Sequence, residues 1–184
     1  MTMNNNILST EKELELINKH TRTPLTADDV YIFSITLCDN EIDRDFECFS
    51  LKSLQKLSEL FVGKTGIADH SMLSKDQSAR IFYCYTESDP TKKTTKGETY
   101  TALKARAYTL KSESNKDFIA SIDGGIRKEV SIGCAVSRVT CSICGKNMKT
   151  HSCEHIKGKT YKATTNSKGK ATFKITKLNN KGTY

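Results

Sequence analysis

Two hydrophobic periods alternate along this chain. Leu14, Leu16 and Ile17 recur among Glu and Lys residues between Ser9 and His20, and with Thr10 as N-cap they predict a short amphipathic helix. Leu51, Leu54, Leu57 and Leu60 predict a second helix over Leu51 to Phe61, and Phe118, Ile119 and Ile122 predict a third over Asn115 to Ile122, ended by Gly124-Gly125. Between them, runs rich in β-branched and aromatic residues predict strands at Val30 to Cys38, Phe46 to Phe49, Ala79 to Glu87, Leu103 to Leu110 and Val130 to Thr140. Thr21 to Asp29 reads as a linker, Val62 to Ser74 as an ordered loop, and Ser88 to Gly97 as a polar connection. From Thr164 onward the chain is rich in Lys, Thr and Asn and carries only weak signals of structure. Strands and helices outside regular βαβ alternation indicate an α+β class, and short strands of this kind favour a small, mostly antiparallel barrel, since closure removes exposed edges.

Composition narrows the class. The 184 residues suffice for one domain with a core, and 36% hydrophobic with 27% charged residues is a globular balance. No apolar run reaches the roughly 20 residues that span a bilayer. Met1 to Thr10 is Asn-rich and lacks the apolar segment of a secretory signal, so a cytosolic protein without a membrane partner is expected. The net charge of +8 is not spread evenly. Lys157, Lys159, Lys162, Lys168, Lys170, Lys174, Lys177 and Lys181 fall in Ile156 to Tyr184, which has no Asp or Glu, and the remainder balances at 21 basic and 21 acidic residues. Such a segment reads first as a solvated end, with nucleic acid as at most a weak partner of the tail.

Seven cysteines, an odd number, fit a reducing compartment better than a disulfide framework. Cys38, Cys48, Cys84 and Cys134 lie in apolar stretches and read as small buried hydrophobes. The other three form a pattern, Cys141-x2-Cys144-x8-Cys153-x-His155, with Gly145 after the first pair. Three thiolates and an imidazole make a closed donor set that suits structural zinc rather than a catalytic ion, and His151 is a spare donor. The expected role is to staple a loop over residues 141–155.

Two further features carry candidate chemistry. His70 closes a glycine-punctuated stretch, Phe61 to His70, and imidazole titrates in the range a general base needs. The Gly63 and Thr65 positions lack the Walker spacing, which excludes a phosphate loop. Ser131 sits in Glu129-Val-Ser-Ile-Gly133, where a glycine two residues on would let backbone approach a carbonyl.

Phe61 to His70, Asp123-Gly124-Gly125-Ile126 and Glu129 to Gly133 together resemble the prohead serine proteases of tailed phages, which are distantly similar to herpesvirus assemblins. The resemblance covers roughly Leu37 to Tyr161. It implies a capsid-maturation endopeptidase of herpesvirus-protease-like barrel fold, with Ser131 as nucleophile and His70 as base, acting by acyl transfer. Asp69 and His155 are the candidates for the third member. It further implies a scaffold or major capsid protein as substrate, a homodimer as in assemblins, and work inside the immature shell in a host cytoplasm. The corresponding organisation is an N-terminal helix and linker over 1–27, a protease-like domain over 28–163, and a Lys-rich tail over 164–184. Where the family continues with a strand bearing an acid, and then a proline-alanine turn, Ala171 to Tyr184 has neither acid nor proline. Two other readings remain open: a noncatalytic head-assembly protein of that fold, and a zinc-ribbon module that binds nucleic acid.

Overall fold

The computed structural model describes residues 8–71, 73–162, 168–170 and 172–183. In chain order the elements are α1 (Thr10–Asn18), β1 (Val30–Asp39), β2 (Glu47–Phe49), α2 (Leu51–Leu60), β3 (Thr65–Ile67), β4 (Gln77–Lys93), β5 (Thr99–Leu110), α3 (Lys116–Asp123), β6 (Cys134–Cys141), β7 (Thr160–Lys162), β8 (Lys168–Lys170) and β9 (Phe173–Thr183). The three helices fall where the apolar spacing predicts them, with one change at the first. Its cap is Ser9, whose Oγ accepts from the Lys12 amide at 3.3 Å, so Thr10 is already helical.

The expected barrel is not there. The strands form a four-stranded sheet of order β1-β5-β4-β3, a three-stranded sheet of order β2-β9-β6 and a two-stranded β7-β8 ribbon, and among the described residues no sheet closes on itself. Each of the two larger sheets therefore keeps two edge strands, which a barrel would have eliminated. The class is α+β with open sheets. A second difference lies near the C-terminus. Phe173–Thr183, which carries little signal by composition, is the middle strand of its sheet, parallel to β2 (Glu47↔Phe173, Phe49↔Ile175) and antiparallel to β6 (Cys141↔Phe173, Val139↔Ile175). The expectation for Met1 to Ile7 and for Ala163 to Ser167 lies outside the described residues.

The chain groups into two compact units. The first comprises Met1–Ile35, Phe61–Cys84 and Ala105–Val130. Its core joins Ile17, Val30, Phe82 and Tyr108, with Leu14, Leu16, Leu25 and Ile32 packed around them. The buried carboxylate of Glu13 on α1 accepts from Arg106 Nε at 2.6 Å, and the same guanidinium donates to Ser34 Oγ at 2.6 Å. Thus the one acid that α1 turns inward is paired, as a buried charge requires.

The second unit comprises Thr36–Leu60, Tyr85–Lys104 and Ser131–Tyr184. Leu54 and Leu57 on α2 are fully buried, and Ser53 Oγ donates to the Ile175 carbonyl at 3.0 Å, which fixes α2 to β9. Among the described side chains of β9 the buried ones are Phe173, Ile175 and Leu178. The step from two to three residues coincides with register shifts between Val136 and Arg138 and between Arg138 and Val139 on β6, a bulged pairing that keeps the apolar side chains on one face.

Candidate metal centre

Strand β6 ends at Cys141, which is buried, and the chain turns at once. The Gly145 amide donates to the Cys141 carbonyl at 3.0 Å and the Cys141 amide to the Lys146 carbonyl at 3.1 Å, closing a tight loop through Ser142, Ile143 and Cys144. Gly145 has φ +71°, a conformation that costs little without a Cβ, which is why a glycine follows the second cysteine. The loop is tied down on both sides. The Ser142 amide donates to the Thr172 carbonyl at 2.9 Å and the Thr172 amide to Ser142 Oγ at 2.9 Å, so the first turn of the loop is anchored next to β9. The Met148 amide donates to the Val139 carbonyl at 2.7 Å, and Asn147 Oδ1 accepts from the amides of Val139 and Lys149, each at 3.2 Å.

The second ligand pair comes from an irregular segment. Cys153 and His155 are half-buried, and Tyr161 at the start of the ribbon holds this part in place. Its ring meets the His155 imidazole edge-on, with centroids 4.7 Å apart at 84°, and its hydroxyl oxygen accepts from the Ile156 amide at 2.9 Å. Farther along, Lys157 pairs with Glu47, and Gly158 (φ +76°) packs against the Phe46 ring so closely that a Cβ would lie 2.6 Å from it.

The result brings Cys141, Cys144, Cys153 and His155 together, with one ligand atom from each, all within 4.8 Å of one another. Donors around a tetrahedral ion at about 2.3 Å would lie roughly 3.8 Å apart, so small side-chain adjustments suffice to close the set. His155 Nδ1 and Ser137 Oγ are buried without a hydrogen-bond partner among the described residues. A buried ring nitrogen without a hydrogen-bond partner, on the one histidine of the cluster, is in keeping with a ligand role for His155. The thiols differ in their acidity. The Lys146 backbone amide, with help from His155, holds the Cys144 thiol down at about 7, while burial pushes the Cys153 thiol up. The residues therefore fit a metal ion. His151 is not part of the group; it is exposed and its Nδ1 is 2.7 Å from Thr150 Oγ1.

No family model, curated protein or solved structure matches this chain.

The candidate hydrolytic pair fares differently. His70 is exposed in the first unit, with φ +54° next to Asp69 at φ +52°, both left-handed turn conformations. Ser131 is exposed in the second unit, three residues before β6 begins rather than on the strand. Among the described residues no serine hydroxyl is hydrogen-bonded to a histidine, and neither Asp69 nor His155 completes a triad: Asp69 is exposed on its turn and His155 belongs to the sulfur cluster. A hydroxyl in solvent without a bonded base is no stronger a nucleophile than any other serine. The prediction of a serine endopeptidase is thereby overturned, together with the barrel that was to carry it.

The remaining cysteines behave largely as the apolar pattern suggests. Cys48 and Cys84 are buried, Cys38 and Cys134 half-buried, and none of the seven is in a disulfide. One contact has no sequence signal: Lys96 Nζ donates to Cys48 Sγ at 3.3 Å, a pairing across residues 48 apart.

Proposed function

We propose that the protein is a noncatalytic binding module whose C-terminal region is folded around one structural Zn2+ ion held by Cys141, Cys144, Cys153 and His155. The observation that carries this is the convergence of three sulfurs and an imidazole within 4.8 Å. Three thiolates and a nitrogen favour a borderline-soft ion of tetrahedral preference, and four protein donors leave no position for water or substrate, so the role is to staple rather than to catalyse. The two ligand pairs lie on different stretches of chain. Metal binding would join the end of β6 to the segment before the ribbon and contribute folding energy there.

The direct test is cobalt substitution of the reduced full-length chain. One equivalent of Co2+ should produce thiolate-to-metal charge-transfer bands and the visible absorption of a tetrahedral site, and Zn2+ should displace it one for one. Cys144→Ser and Cys153→Ser should each lose the spectrum. A folded, reduced chain that takes up no Co2+ or Zn2+, or whose uptake survives both substitutions, would rule the reading out.

A further inference from the structure

The net charge of +8 belongs to one unit. The first contains 11 basic and 11 acidic residues and is neutral; the second contains 18 basic and 10 acidic residues and carries the whole surplus. Within it, Ser131–Tyr184 holds 11 basic residues against a single acid, Glu154. Among the described residues, ion pairs engage two of these cations: Lys157 is paired with Glu47 and Lys174 with Glu98. Arg138, Lys146, Lys149 and Lys159 are exposed and have no ion-pair partner among the described residues.

From this arrangement we infer that the zinc-stapled part of the second unit binds the phosphate backbone of nucleic acid, with Arg138, Lys146, Lys149 and Lys159 among its contacts. The inference rests on the metal reading above, because Lys146 and Lys149 lie between the two ligand pairs and Lys159 just after the second. The backbones of Lys146 and Lys149 are ordered by the same loop: the Lys146 carbonyl accepts from Cys141 and the Lys149 amide donates to Asn147. Cations held on an ordered loop bind a polyanion with less loss of freedom than cations on a free tail. Ser142, also exposed, adds a hydroxyl donor of the kind that commonly bonds phosphate oxygens. A loaded centre of three thiolates and Zn2+ carries about one negative charge, which leaves most of the surplus intact. An anionic membrane is a poorer match. The basic region is built of strands and turns rather than an amphipathic helix, and Ile156 is the only exposed large hydrophobic among its described residues. Contacts of this kind are independent of base sequence.

The test uses the zinc-loaded full-length chain and a fluorescein-labelled 20-base-pair duplex DNA, read by anisotropy from 50 to 300 mM NaCl. Four phosphate contacts predict a slope of log Kobs against log salt of about −3 to −4. The triple variant Lys146→Glu/Lys149→Glu/Lys159→Glu should bind at least tenfold more weakly while still taking up one zinc. No binding at 50 mM salt, an unchanged affinity in the triple variant, or displacement of the DNA by phosphatidylserine-containing vesicles would each overturn the inference. A chain that takes up zinc and ignores DNA overturns this inference alone, whereas one that takes up no zinc overturns the metal reading as well.

Discussion

At Gly145 and Gly158 the backbone has nearly the same left-handed φ, +71° and +76°, but the space around them differs. A Cβ at Gly145 would meet nothing within 4 Å, whereas at Gly158 it would press on the Phe46 ring at 2.6 Å. Gly145→Ala should therefore cost only the conformational penalty, about 1–2 kcal/mol, and Gly158→Ala that penalty plus overpacking, roughly 2–4 kcal/mol. Urea midpoints of the two variants would show the difference; equal midpoints would mean that Phe46 yields freely. Tyr161 is the other residue whose importance only its neighbours reveal. Replacing it with Ala removes both the edge contact to His155 and the acceptor for Ile156, so zinc should be lost to a competing chelator about tenfold more readily. Tyr161→Phe keeps the ring and should lie much closer to the parent.

Among the elements, α1 depends on a cap and on one buried ion pair. Ser9→Ala should cost about 1 kcal/mol. Arg106→Ala should cost more, about 3–5 kcal/mol, because it strands the Glu13 carboxylate in a site where its side chain is only 9% exposed; thermal melts of both variants would give the order. Contacts of α3 and β5 predict an alkaline limb. The hydrogen bond to Asp123 pushes the Tyr31 phenol up to about 12, and burial together with Asp39 does the same for Tyr100. Both phenols hold their protons more tightly in the folded state than in the unfolded chain, where the value is near 10. Their contribution to stability is therefore complete below pH 10 and is lost as the pH rises from 10 to about 12. Denaturant midpoints should fall over that window, and the Tyr31→Phe/Tyr100→Phe pair should flatten the fall.

For the whole molecule, metal and charge both point to the second unit, so removing zinc should act unevenly. Chelation should increase amide hydrogen exchange across residues 141–161 while α1 and the first half of β1 stay protected; uniform loosening of both units would mean that the ion supports more than its own loop. How much of this was legible beforehand varies with the range of the interactions. The helices, most strands and the donor set Cys141, Cys144, Cys153 and His155 are local patterns, each set by residues close together along the chain, and the sequence by itself determined them. Whether the sheets would close depends on edge pairing that no single strand encodes, and the tertiary structure left them open. The tail composition hid β9, because its partners lie far off in sequence, Glu47–Phe49 and Cys134–Cys141, and its apolar face shows only once those strands define an inside. Ser131 and His70 are motif fragments whose meaning required a bonded partner, and the fold set each of them in solvent. A ligand cluster of short span can be read from spacing, whereas a catalytic pair drawn from distant segments exists only if packing brings it together.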